Sequence, residues 1–539
     1  MYAHDSRQIS FSEFLHPFGE GLNPENRWIK LAELIPWREA EQYYAKRFSS
    51  NGPSAYPVRM ALGALILKEK LGVPDRELVE QIRENPYLQF FLGLHEFQHK
   101  APFDDTLLPH FRKRFDIEFL GQLNLKIVEN AQQIKRGKDS DDDSPPPPDG
   151  GTFIETDQPT DPESKTSSSS TPPSHQGRMI IDATVSPADI RFPTDLNLIN
   201  EAREKSDQII DILHVPDQGH KRHPRTYRQV ARKCYLNVAK KKQASKKAIR
   251  TAIGQQLRFL KRNLGIIDTY IVQNPSCLET LPRWLYQRLL VISEVYRQQY
   301  QMYSKRECRI EDRIVSLQQP HVRPIVRGKA NAKVEFGAKL LVSECDGMVV
   351  LDQLSWDNFN ESTLLIEKIE AFKKRFGHWP TSVHADRIFR TRENRRFCKD
   401  KGIRLSGPAL GRPVKITEEN KAKQKALKKV QQEDERIRNR IEGRFGQGKR
   451  RFGLGRIMAK LRQTSECTIG IIMILINLET CLQAVFFYFS QNLLGARRRF
   501  RLTESAKMRR ICKKIFSTSQ IVKTKQETHE LNDLALSSA

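Results

Sequence analysis

The sequence predicts an α/β protein: a mixed sheet flanked by helices, preceded by an all-α N-terminal unit and interrupted by a helical insertion after the first core strand. Three observations carry that expectation. Two short apolar runs, Arg178–Val185 and Thr381–Asp386, each place an acid near their end and read as buried strands. Between them lies a hairpin signal, in which Ala332–Ser343 alternates apolar positions, Cys345-Asp-Gly347 turns the chain and Met348–Leu354 answers. Segments of helical period separate these strands, and strands joined by helical crossovers pair in parallel while hairpin strands pair antiparallel.

The N-terminal 1–136 carries only helical signals. Val58, Ala61, Leu62, Leu65, Ile66 and Leu67 keep one face apolar up to Gly72, a helix-stopping residue. Pro74-Asp75 opens a second helix through Leu78, Val79 and Ile82, Asn85-Pro86 stops it, and Tyr87–Leu94 reads as a third. Short helices joined by tight turns suit DNA contact, and they suit a scaffold or oligomer contact as well. Residues 137–177 change character, with an acidic run, four consecutive prolines and a serine tract, and read as a disordered linker.

The core then starts at 178–200 and resumes at 320–492, around a basic helical insertion at 201–319. That insertion holds Arg232-Lys, Lys240-Lys241-Lys and Lys246-Lys247 with Tyr227, Tyr235 and Phe259 interleaved. Basic helices of this kind neutralise phosphates, which makes Lys240 and Lys241 candidate DNA contacts, with a merely solvated face as the other reading. After the hairpin come a helix at Glu361–Phe376, the acid-ended strand, a helix at Asn394–Lys401 and a last strand near Ile403-Arg-Leu. A charged helix spans 418–452. The apolar run Thr468–Phe487 contains Asn477, Glu479 and Gln483, so it reads as a buried core helix and not as a membrane span. Residues 493–539 read as a basic, mostly flexible tail.

Charge points to a polyanionic partner: 91 Lys and Arg against 64 Asp and Glu leave +27. With 38% hydrophobic residues the chain can also build a sizeable core. Its eight cysteines contain no CxxC pair, so neither a zinc module nor a disulfide framework is expected, and a reducing, intracellular compartment fits.

Three acids are the candidate chemistry. Asp182 and Asp386 stand at strand ends that adjacent parallel strands would bring together, and Glu442 needs only a helix packed across that edge. Taken alone, Asp182 reads as a turn-forming aspartate. Glu442, four residues after Arg438 and seven before Lys449, reads alone as one partner of a solvated ion pair on a helical face. Gathered, three carboxylates repel unless divalent cations neutralise them, and an all-oxygen set favours two Mg²⁺ (or Mn²⁺) ions over zinc. Such a pair of ions serves phosphodiester cleavage.

Ile181-Asp182-Ala-Thr, Phe192-Pro-Thr-Asp-Leu-Asn-Leu-Ile-Asn-Glu-Ala-Arg203, Ala385-Asp386-Arg387 and Arg438-x3-Glu442-x6-Lys449 together resemble the insertion-sequence transposases of the DDE class, in the group carrying the YREK signature. Tyr56-Pro-Val-Arg-Met-Ala-Leu-Gly-Ala-Leu-Ile-Leu-Lys and Asn85-Pro-Tyr-Leu-Gln are similar to the helical N-terminal domain that accompanies that core. The resemblance implies an RNase H-like core, Asp182, Asp386 and Glu442 as catalytic metal ligands, and Arg438, Lys449 and Arg387 on DNA. It also implies cutting at transposon inverted repeats, joining of the 3′-hydroxyl to target DNA, and a homodimer with no membrane role. Two positions depart from the pattern: Glu435 stands where the signature has tyrosine, and Ile388 where a glycine usually follows the second aspartate. The alternatives these raise are a catalytically impaired DNA-binding relative and a structure-specific nuclease. Gly443, Gly446 and Gly448 are also expected to loosen the helix that carries Glu442.

Overall fold

The computed structural model describes residues 14, 21–48, 54–139, 175–214, 222–326, 334–407 and 420–499, with side chains left aside over 132–139 and 485–499. Most of the acidic, proline-rich linker and most of the basic tail read from the sequence lie outside those residues.

Among the described residues, seven α-helices come first: α1 (Arg27–Glu33), α2 (Trp37–Ala45), α3 (Val58–Leu71), α4 (Asp75–Glu84), α5 (Pro86–Phe91), α6 (Leu108–Arg114) and α7 (Ile117–Asp139). Their ends follow the sequence signals. α3 stops at Gly72, whose φ of 68° an L residue rarely adopts. Asn85 ends α4 and then caps α5 by accepting from Tyr87 N at 2.9 Å. Asp75 at the start of α4 holds the Arg112 fork at 2.7 and 3.1 Å, tying α6 to the first turn of α4.

The first strand, β1 (Arg178–Pro187), leads into the insertion formed by α8 (Asp195–Leu213), α9 (Arg228–Ala239), α10 (Lys246–Gln273) and α11 (Arg283–Lys305). Thr194 caps α8 by accepting from Asn197 N at 3.3 Å. The insertion has its own apolar core, with Ile199, Ile209, Leu260, Leu285 and Ile292 all 1% exposed or less.

The chain then returns through β2 (Arg323–Val326), β3 (Val334–Cys345) and β4 (Met348–Ser355), crosses by α12 (Leu365–Phe376) to β5 (Ser382–Ala385), and by α13 (Arg392–Asp400) to β6 (Arg404–Leu405). The last two helices among the described residues are α14 (Lys421–Arg451) and α15 (Arg462–Arg499). The sheet runs β2-β3-β1-β5-β6, with β4 on the edge of β3 away from β1. β3 is antiparallel to β1, β2 and β4, whereas β1, β5 and β6 are parallel. The β3–β4 hairpin turns through Asp346 and Gly347, both at positive φ, as an Asp-Gly hairpin turn requires. β2 carries no sequence signal of its own, because Arg323-Pro-Ile-Val is too short and too polar to show a period.

Alternation assigns the two faces. Met179, Ile181, Leu341, Val383 and Ala385 point to one side and are buried with Leu365, Ile369 and Phe372 of α12 and Cys398 of α13. Ile180, Glu344 and His384, level with one another in the register, point to the other side, where α14 lies. α15 is apolar on every side and is buried accordingly, with Ile469, Ile471–Ile476 and Leu478 at 0–1% exposure. It is the one described helix long and apolar enough to cross a membrane, but its burial in protein marks it as a core helix. Asn477 on α15 accepts from Val349 N at 2.7 Å and donates both to Val349 O and to Asn124 Oδ1, linking β4, α15 and α7. From Cys481 the chain forms a second compact unit, of which the described part continues α15.

Candidate active site

β1 and β5 pair in register from Arg178↔Ser382 to Ile181↔Ala385. The next step along each strand is Asp182 and Asp386, so the two acids stand side by side where the strands part. Neighbouring strands run about 4.8 Å apart, which sets the scale of that approach. Asp182 Oδ1 accepts from Ala183 N at 2.8 Å, and Asp386 Oδ1 from Arg387 N at 2.7 Å. Beyond Asp386 a 3-10 helix, Arg387–Phe389, makes the turn without any positive φ, so Ile388 sits there unstrained. The expectation that this position wants a glycine's backbone is therefore corrected: the turn is right-handed, and a β-branched residue fits it.

Glu442 arrives on α14. Asp434, Ile437, Ile441, Phe445 and Gly448 form its buried stripe, at helical spacing, against the sheet. The helix runs unbroken through Gly443, Gly446 and Gly448, against the expectation of loosening. Gly448 has a packing reason: a Cβ there would meet Ile476 Cδ1 and Leu454 Cδ2 at 3.2 Å. The helix passes Asp434 beside Arg404 of β6 and ends its crossing with Arg440, whose Nη2 lies 3.3 Å from buried Glu344 of β3. It thus lies across the strands that carry the two aspartates.

The three acids share one electrostatic neighbourhood. The Asp182 carboxyl is pushed up to about 6, first by burial, with Asp386 and Glu442 adding to the rise, while the Ala183 N–H and the Arg438 guanidinium oppose it. Arg438 Nη1 donates to Glu442 Oε1 at 3.0 Å, one turn away on the same helix. Among the described residues, no group of three or more His, Cys, Asp or Glu is gathered closely enough to hold a metal ion. The sequence-derived residues thus sort into two sets. Asp386, Glu442 and Arg438 lie within electrostatic range of Asp182 at the β1–β5 end, the three acids not being gathered into a metal-binding group. Arg387 is exposed beside Asp386, and Lys449, partly buried, lies seven residues or about 10 Å further along α14 than Glu442. Lys240 and Lys241 are exposed at the end of α9, within the insertion. Sequence reasoning missed Asp434, His384 and Arg404, which meet behind Asp386. Their only signal was the period-two alignment of Ser382, His384 and Asp386.

Comparison with known proteins bears on the same elements. The family described as "Transposase DDE domain" matches residues 383–479, a span that includes Asp386, Glu442 and Lys449. The family described as "Transposase domain (DUF772)" matches residues 17–114. A protein of Rhizobium meliloti called "Uncharacterized protein ORF8 in nfe locus" is 36% identical over 112 residues, covering 21% of this chain and 54% of that protein. The chain therefore spans about half the length of that curated relative. No solved structure matches. With a transposase domain matched toward its start and a DDE domain matched across β5 and α14, the chain is similar to the DDE transposases of insertion sequences, and both matches support that family.

Proposed function

We propose that this transposase cuts the ends of its element and joins the freed 3′-hydroxyl to target DNA, using Asp182, Asp386 and Glu442 as the ligands of two divalent cations. The observation that carries the reading is the register that sets Asp182 beside Asp386 where β1 and β5 part, with Glu442 and Arg438 of α14 in electrostatic range. Net positive charge is what this spot lacks. The donor set is all oxygen, which suits Mg²⁺ or Mn²⁺. Bound there, such ions activate a water and stabilise the leaving oxygen of a phosphodiester.

The protein's own groups do the rest. The β1–β5 register holds Asp182 beside Asp386, and the Ala183 and Arg387 amides orient one oxygen of each. Arg438 holds Glu442 toward them and presents positive charge for a phosphate near the cut. Arg387 and Lys449 extend that positive surface along the DNA, and Lys240 and Lys241 add phosphate contacts on the insertion. Antiparallel hairpin strands beside parallel crossover strands, with acids at the shared end, support an RNase H-like core. The kept Arg438-x3-Glu442-x6-Lys449 spacing supports the YREK grouping, with Glu435 in the tyrosine's place. Two element ends must be held at once, so the working form is a homodimer, with the N-terminal helices as the end-binding unit.

A second reading rests on the same Arg438–Glu442 pair, which engages one carboxylate oxygen: a relative that binds DNA and does not cut. Both readings predict salt-sensitive binding. They part on Mg²⁺-dependent nicking of duplexes that carry the inverted repeats flanking the gene. Asp182→Asn, Asp386→Asn and Glu442→Gln should each abolish nicking and leave binding within a few-fold of the parent. Three variants that nick like the parent would sink the assignment, and a parent that binds without nicking would establish the second reading.

A further inference from the structure

Behind the acids lies a second polar cluster that the reaction as described does not use. Ser382, His384 and Asp434 are all buried, at 6%, 0% and 6% exposure. Ser382 Oγ and His384 Nε2 are 3.0 Å apart, and His384 Nδ1 lies 3.4 Å from Asp434 Oδ1. From β6, Arg404 closes on both oxygens of Asp434, with Nη1 to Oδ2 at 3.1 Å and Nη2 to Oδ1 shorter. A serine, a histidine and an aspartate in such an order suggest nucleophilic chemistry. Burial on all sides argues against it here, because no substrate reaches the Ser382 hydroxyl.

The cluster's place in the fold says more. Asp434 is on α14, eight residues before Glu442, or about 12 Å along the axis. His384 is two residues before Asp386 on the same strand, and two residues of strand span about 6.6 Å. Asp434 is thus the point where the helix bearing the third acid is fastened to the strand bearing the second. The apolar stripe fixes which face of α14 meets the sheet, and a one-residue slip with its rotation of about 100° would expose Ile441. Small tilts and shifts along the axis cost an apolar contact less, and they are enough to move Glu442 relative to the strand ends. A two-pronged guanidinium contact on a single carboxylate resists such shifts. Arg440 on Glu344 of β3, two residues before Glu442, is a second contact on the same side of Glu442 as Asp434, and it is longer and single.

We propose that Asp434, clasped by Arg404 and abutting His384, is a positioning residue that holds α14 against such shifts on the sheet and so places Glu442 relative to Asp182 and Asp386. The inference rests on the assignment of those three acids, and its test separates the two. Asp434→Asn keeps the shape of the side chain and removes the charge that holds the Arg404 fork. Arg404→Lys keeps a cation and removes the fork.

In the full-length Asp434→Asn protein, backbone amides of Arg438–Gly443 should exchange with deuterium at least tenfold faster than in the parent, while those of β1 stay protected. Mn²⁺ affinity, read by titration of its paramagnetic signal, should fall about tenfold. The nicking rate at saturating DNA should fall with it, while the DNA concentration for half-maximal rate stays put. Arg404→Lys should show the same pattern, more weakly. Unchanged amide exchange over Arg438–Gly443 in Asp434→Asn overturns the inference, whatever the parent does with metal. Faster exchange in a protein whose parent binds no Mn²⁺ upholds the fastening of α14 and overturns the assignment of the acids. A fall in DNA affinity with the rate at saturation intact overturns the positioning role.

Discussion

Two charge clusters inside this protein are built in opposite ways. In the insertion, Arg203 at 1% exposure donates to Asp207 at 2.6 Å and to Asn200 at 3.0 Å, and Asn263 donates to Asp207 at 2.7 Å and to Ser206 at 2.9 Å. Each charge there has an opposite charge or an amide against it. At the β1–β5 end, three acids share one arginine, and burial with mutual repulsion pushes Asp182 up to about 6. Burial raises the Asp207 carboxyl and lowers the Arg203 guanidinium as well, but each has its counter-charge within hydrogen-bond reach, whereas the acids at the β1–β5 end outnumber their arginine.

Breaking each cluster should therefore have opposite signs. The largest effect is expected in the insertion: Asp207→Ala leaves Arg203 buried without its counter-charge and should cost about 3 kcal/mol in denaturant unfolding. The double variant Arg203→Met with Asp207→Leu should cost less than that single change, because the stranded charge is gone. A double variant less stable than the single would show that the pair itself, and not the avoidance of a bare charge, holds the insertion together.

At the acid site the change should stabilise. The Asp182 carboxyl is raised above its ordinary 3.8 in the folded protein. At pH 7 it is ionised in both states, and the ionised form is penalised only when folded. Metal-free Asp182→Asn should then be more stable than the parent by about 1–2 kcal/mol at pH 7. As pH falls through about 6 the folded parent takes up a proton that the unfolded chain does not, so the advantage should shrink and vanish near pH 4. Thermal melts across pH 4–8 in chelator give the result. A variant less stable than the parent at pH 7 would mean that Asp182 is compensated in the fold, and the contrast between the clusters would be lost.

The smallest effect is on binding. Lys240→Ala with Lys241→Ala removes two exposed cations of the insertion, far from the acids in sequence. Affinity for duplex DNA should weaken a few-fold, and the slope of log K against log salt should shrink by about 2. An unchanged slope would assign those lysines to a solvated face.

How far the sequence reached depends on the kind of feature. The Asp-Gly turn and the alternation around it were legible as a hairpin, because both signals are local and the turn needs a residue that tolerates positive φ. Buried α15 was legible from a run apolar on every side yet interrupted by Asn477 and Glu479. β2 escaped because Arg323–Val326 becomes a strand only by pairing with β3. The glycines of α14 and Ile388 were misread for one reason: propensity describes a residue by itself, while Gly448 is explained by Ile476 and Leu454, and Ile388 by a right-handed turn.

By itself, the sequence determined which residues could do chemistry and which elements would carry them, since acid-ended strands, helical period and turn residues act over a few neighbouring positions. Only the tertiary structure decided that Asp182 stands beside Asp386, that α14 lies across both, and that Asp434 meets Arg404 and His384 beneath them. Those contacts join residues tens to hundreds of positions apart, and the register of β1 on β5 and the seating of a helix on a sheet are set by packing, of which a linear pattern holds no record.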